Sequence, residues 1–284
     1  MGIFRAISTS RPYQTNRSEW PAEKERPIMI RRYLYDGTSE SFLTALSRAL
    51  TIGEEATVEP KDSFAAGLFD VPELAPPDAA AAMRLLQRAK RQISPSEARR
   101  LYYLSLARDP AAGRVGLFFL RLAFGMGTAV SDYEADERVR RFHGLAGRVA
   151  AEIHRLKGLA RFRQVSDGLW YAPLTPDHRV LFPLAFHFRR RMPAERWILH
   201  DIPRGEAVAW DGHAFRLRQL PLPASFPGGD ANGLFPERSS AEAEVQALWR
   251  TFFEHIALSK REHKALQARN MPRRYWPYLV ELCE

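Results

Sequence analysis

From Val139 to Leu156, apolar side chains recur at spacings of three and four: Val139, Phe142, Ala146, Val149, Ile153 and Leu156. That period puts all six on one face of a helix, and a face of this length has to be buried against neighbouring elements. Upstream, Ser131 and Glu134 have the spacing of a capping box and predict where the helix starts. Arg141, Arg148 and Arg155 recur every seven residues as a second stripe, with Arg138 beside it and only Glu152 to answer it. Any fold of this chain must therefore wrap a core around one side of a long helix whose other side is basic.

The segments around that helix predict an α+β fold, mainly helical, with a small antiparallel β-sheet in the middle third. Residues 1–28 are polar and aperiodic and read as a disordered tail, or as a start assigned too early before Met29. Residues 29–284 read as a single α+β domain. Its helical part is 29–157, its β-rich basic part 158–220, its linker 221–240 and its C-terminal helices 241–284. Arg32 to Tyr35 form a strand ending at the Asp36-Gly37 turn, and a helix follows from Ser39. Residues 53–77, with Pro72, Pro76 and Pro77, read as a loop. Asp78, then Ser94-Pro95-Ser96-Glu97, carry helix-start signals, and another helix follows Asp109-Pro110. Beyond residue 160 the pattern alternates. Arg161–Val165 with Leu169–Ala172 make one hairpin, Trp197–Ile202 with Ala207–Trp210 a second, and His213–Leu217 a further strand. Between the hairpins lies an apolar run, 179–191, ending in three arginines. A helix over about 241–258 and a shorter one ending near Leu282 close the chain.

Charge is confined to the same middle region. The chain carries 42 basic and 33 acidic residues, a net charge of +9. Residues 138–218 hold 16 basic against 7 acidic, while the segments on either side are balanced. A localised excess makes a field; a mixture does not. Arginine binds phosphate through a planar fork and stacks on bases, and aromatic neighbours add stacking surface for unpaired nucleotides. The candidate nucleic-acid ligands are Arg141, Arg148, Arg155, Lys157, Arg161, Arg163, Arg189, Arg190, Arg191 and Arg204. To these the C-terminal set adds Arg273, Arg274, Tyr275 and Trp276. For the C-terminal set the competing role is a structural cap, with the aromatics in the core and the arginines paired to Glu281 or Glu284.

A catalytic alternative rests on His178, His187, His200 and Asp201, which fall in one β-rich region and could form a metal or acid–base site. No recognised ligand spacing joins them, and no motif calls for a cofactor. Gly125-Met126-Gly127 lacks the remaining glycines and the lysine of a phosphate loop. The lone cysteine, Cys283, cannot build a disulfide, a cysteine zinc site or an iron–sulfur cluster. Without a long apolar run or a signal peptide, the expected location is cytoplasmic, with no membrane partner.

Several segments together carry a resemblance. They are Tyr33-Leu34-Tyr35-Asp36-Gly37, His154-Arg155-Leu156-Lys157-Gly158 leading into Arg161-Phe162, Tyr171-Ala172-Pro173, Pro176-Asp177-His178, His187-Phe188, His200-Asp201 with Arg204-Gly205, and the closing Met271-Pro272-Arg273-Arg274-Tyr275-Trp276. From about residue 30 to 282 the chain resembles a bacterial family of unknown biochemical activity, usually labelled probable DNA metabolism protein. The resemblance implies DNA as a partner and a separately encoded radical-SAM protein, proposed to modify or repair DNA, as another. In some bacteria the same domain is fused to a uracil-DNA glycosylase-type domain. Cluster chemistry would belong to the radical-SAM partner, because this chain has a single thiol. The expected function is DNA binding or processing in repair, and the alternatives are a His/Asp- or metal-dependent enzyme and a protein-interaction adaptor.

Overall fold

The computed structural model describes residues 30–53, 55–68, 70–166, 168–220, 240–256 and 264–282. Residues 1–28 and almost all of the expected linker at 221–240 lie outside them.

Strand β1 (Ile30–Tyr35) ends in the expected turn, where Gly37 takes φ 89°. Thr38 then caps α1 (Ser39–Ile52), its hydroxyl accepting the Ser41 amide at 3.2 Å. The following segment is not the predicted loop. It contains β2 (Ala56–Pro60) and β3 (Asp70–Leu74), which pair parallel to β1 on opposite sides in the order β2-β1-β3. Both are five-residue edge strands held by pairing distant in sequence, and β3 is mostly exposed, so neither carries a clear apolar alternation. Pro72 is tolerated in β3 because an edge strand can do without one amide.

Helices α2 (Ala79–Gln92) and α3 (Pro95–Ser105) start at Asp78 and Ser94, as their capping signals predict. Helix α4 (Ala112–Met126) presents Val115, Leu117, Phe119 and Leu120 to the core. With the 3₁₀ turn after it, Ala112–Asp132 is long and apolar enough in composition to cross a membrane. In this fold it packs on β2, α1 and the long helix that follows.

That long helix, α5 (Glu137–Leu159), starts later than expected. Asp136 caps it, accepting the Arg138 amide at 2.7 Å, whereas the Ser131 hydroxyl donates to Glu97 at 3.3 Å and sits in the 3₁₀ turn. The apolar stripe is buried throughout and divides between two hydrophobic clusters. Val139, Phe142 and Leu145 join the helices and the first sheet, while Val149, Ile153 and Leu156 join the second sheet. One helix thus braces both cores.

The second sheet comprises β4 (Arg163–Ser166), β5 (Leu169–Leu174), β6 (Arg196–Asp201), β7 (Glu206–Trp210) and β8 (Phe215–Gln219), in that order. Both predicted hairpins form, yet the sheet is not wholly antiparallel, because β5 and β6 run parallel. The reason is the apolar run between them. It folds as α6 (Leu181–Arg191) and carries the chain back across the sheet, as a parallel connection requires. The architecture is α+β and mostly helical, with one parallel and one mixed sheet in place of a single antiparallel one. Helices α7 (Ser240–Ile256) and α8 (Lys264–Asn270) follow, and a 3₁₀ segment, Arg273–Tyr278, returns to the second core.

Candidate nucleic-acid interface

The basic face of α5 is organised by its one buried carboxylate. Glu152 is 1% exposed. Its Oε1 accepts the Tyr275 hydroxyl at 2.6 Å, Arg274 Nη2 at 3.0 Å and the Asp177 amide at 2.9 Å, and its Oε2 accepts the His178 amide at 2.8 Å. Burial pushes the Glu152 carboxyl up, but the Tyr275 hydroxyl, the two amides and Arg274 outweigh it and hold the group below the usual range. The carboxylate therefore ties the β5–α6 loop and the C-terminal 3₁₀ segment to the middle of α5. Arg274 also pairs with Asp177 at 2.6 Å. Sequence reasoning registered Glu152 only as an answer to nearby arginines; partners 25 and 123 residues away leave no local pattern.

Several expected DNA ligands are engaged inside the protein. Arg161 reaches Glu281 at 2.6 Å and the Gly158 carbonyl at 2.8 Å. Arg204 holds Asp201 at 2.6 Å and the carbonyls of Pro176 and Asp177. Arg163 is 3% exposed. Tyr275 is buried in the second core, and the Trp276 indole donates to the Met271 carbonyl at 2.8 Å. Arg273 is exposed, with its guanidinium 5.8 Å from the Trp276 ring. Arg189 lies over Phe186 and Phe215, 5.5 and 5.6 Å from the ring centres. For Arg274, Tyr275 and Trp276 these contacts are those of a structural cap, with Glu152 in the place expected for Glu281 or Glu284.

The remaining cations are on the surface. Arg141 and Arg148 are exposed and weakly paired, to Glu137 at 2.9 Å and Asp109 at 3.3 Å. Both line a cavity of about 610 Å³ along α5; Arg148 also lines a second, of about 160 Å³, with Arg155 and His178. The Arg155 Nε is buried without a hydrogen-bond partner among the described residues. At the end of α5, exposed Lys157 faces the end of α6, where Arg190 and Arg191 are also exposed. No carboxylate within the described residues pairs with Lys157, Arg190 or Arg191. His187 stands among them, its pKa lowered by burial and then by the charges of Lys157, Arg191 and Arg190.

The proposed catalytic groups are not brought together. His200 and Asp201 are neighbours on β6 and so face opposite sides of the sheet. His200 is fully buried; its Nε2 donates to the Leu220 carbonyl at 2.8 Å, so its Nδ1 accepts the Tyr171 hydroxyl at 2.7 Å. Desolvation lowers its pKa and favours this neutral form. Burial raises the Asp201 pKa against the pull of Arg204. On the α5 side, the His178 Nδ1 accepts the Arg108 amide at 3.2 Å, and burial lowers its pKa. Among the described residues, no three His, Cys, Asp or Glu side chains group as metal ligands.

These features define an α+β protein whose second sheet is clasped to a long basic helix by a buried carboxylate. Residues 111–281 match the family model described as a domain of unknown function, DUF4130, and the chain belongs to that family. The match starts at the foot of α4 and takes in α5, the whole second sheet and the C-terminal 3₁₀ segment, leaving the first sheet outside. Neither a curated protein nor a solved structure matches the chain.

Proposed function

We propose that this chain binds DNA and works in its repair or metabolism. The observation that carries the reading is the cluster at the joined ends of α5 and α6, where Lys157, Arg190 and Arg191 surround His187 with no carboxylate opposite among the described residues. Unanswered cations on a rigid pair of helices form a phosphate-binding surface, and each phosphate neutralised releases counterions. Arg155, Arg148 and Arg141 extend the surface along α5. The family resemblance supplies the context: a cytoplasmic bacterial protein acting beside a separate radical-SAM protein, which would carry any cluster chemistry.

The reading is tested by fluorescence anisotropy of labelled single- and double-stranded DNA over a salt series. Affinity should fall as salt rises, with a logarithmic slope of roughly 0.7–0.9 per phosphate contact. Absent binding, or binding indifferent to salt, overturns it. A pull-down of the radical-SAM protein with and without nuclease separates a DNA-bridged association from direct docking.

A further inference from the structure

Helix α6 is apolar on more than the face it buries. Leu181, Leu184, Ala185 and Phe188 turn towards the second core, as one stripe of an amphipathic helix should. Outside that stripe stand Phe182 and Phe186, 43% and 49% exposed, where a surface helix ordinarily carries polar side chains. The two are four residues apart and lie one above the other, and Arg190 continues the row by a further turn. The Phe186 ring meets Phe215 of β8 edge to face at 5.3 Å, and the Arg189 guanidinium lies 5.5 and 5.6 Å from those two ring centres. Leu217, two residues beyond Phe215, shares its face of β8 and is 51% exposed. Single exposed apolar residues are ordinary, but here three of them and an arginine share one side of the sheet.

The neighbouring flank of the same helix is the cationic cluster. His187 and Arg191 form the next row of α6, with Lys157 and Arg190 beside them and no carboxylate paired with the three cations among the described residues. Rings that a base can cover and cations that a phosphate can meet thus run side by side along α6. A duplex can use only the cations, because its bases are paired and stacked on one another. An unpaired strand can use both rows, and stacking on an aromatic face is open to every base.

We propose that α6 holds unpaired DNA, its bases on Phe182, Phe186 and Arg189 and its phosphates on Lys157, Arg190 and Arg191. The proposal rests on the reading of the α5–α6 cluster as a DNA surface and adds the strand state of the substrate. Anisotropy titration of the full chain compares three labelled probes of equal length: oligo(dT), an abasic strand with the same phosphates, and a duplex. The wild type should bind oligo(dT) at least about tenfold more tightly than the abasic strand, since a single stacked base is worth about that factor. Phe182→Ala with Phe186→Leu should weaken oligo(dT) about tenfold and the abasic strand less than about twofold, with an unchanged salt slope. Leucine keeps an apolar contact with Phe215, and an unchanged melting temperature confirms the fold of this variant. Phe182→Trp, which retains a stacking face, should bind oligo(dT) like the wild type. Equal wild-type affinity for oligo(dT) and the abasic strand, or oligo(dT) binding indifferent to the phenylalanine changes, overturns the proposal. Salt-dependent duplex binding would then leave the DNA reading standing, whereas no binding of any probe overturns both. Sedimentation with phosphatidylserine vesicles that the phenylalanine changes abolish, with oligo(dT) affinity unaltered, assigns the face to a membrane and also overturns the proposal.

Discussion

Replacing Glu152 by alanine tests whether one carboxylate holds the C-terminal segment to α5. The substitution leaves the Tyr275 hydroxyl, the Arg274 guanidinium and two amides without their acceptor. Breaking a buried ion pair costs about 3–5 kcal/mol. The Arg274 side chain is 34% exposed, so solvent screens part of that loss. The buried hydroxyl and amides cost about 1–3 kcal/mol each when unsatisfied, and such losses are not additive within one network. Together these give a destabilisation of about 4 kcal/mol for Glu152→Ala, and about 1.5 kcal/mol for Glu152→Gln, which keeps an acceptor oxygen but not the charge. Urea unfolding at pH 7 should show a lower midpoint with little change in slope. Because the folded-state pKa of Glu152 is depressed, its contribution is present above the unfolded value near 4.5 and is lost as pH falls through the folded value. Glu152→Gln should therefore flatten the acid limb of the stability profile. A cost below about 1 kcal/mol for Glu152→Ala, within the range of ordinary surface changes, refutes the clasp.

Three further outcomes follow from the same structure. Gly113→Ala would place a methyl 2.3 Å from the Val58 carbonyl oxygen, backbone against backbone, where α4 lies on β2. It should cost at least about 1–3 kcal/mol in thermal unfolding, and an unchanged melting temperature contradicts that packing. The depressed pKa of His200 means its stability contribution is full above the unfolded value near 6.5 and is lost as pH falls through the folded value, so His200→Phe should reduce the dependence of melting temperature on pH below 6.5. Arg148→Glu with Arg155→Glu should weaken DNA binding without unfolding the protein, since both cations reach the surface; equal affinity would remove that part of α5 from the interface.

Local signals identified much of this fold. The stripe from Val139 to Leu156 is buried along its whole length, and Asp78 and Ser94 cap their helices through their own side chains. Alternation and turn residues located both hairpins of the second sheet. What escaped depended on partners far away in the chain. Strands β2 and β3 have register only through β1. The apolar run 179–191 had no marked period, so its helix, and the parallel pairing that follows from it, was not evident. The arginines show the same limit. Arg161, Arg204 and Arg274 look as basic in sequence as Arg190 and Arg191, but Glu281, Asp201 and Glu152 meet the first three in the folded chain. The block of charge was legible, and its division into internal clamps and exposed surface was not.

That division is the central claim, and equal charge changes at two places test it directly. One variant carries Lys157→Glu, Arg190→Glu and Arg191→Glu; the other carries Arg84→Glu, Lys90→Glu and Arg91→Glu on the exposed face of α2. Both lower the net charge equally, so a nonspecific field treats them alike. Anisotropy titration at fixed salt should show DNA affinity falling at least about tenfold in the first variant and changing far less in the second. Equal losses in the two, or an unchanged affinity in the first, would contradict the account.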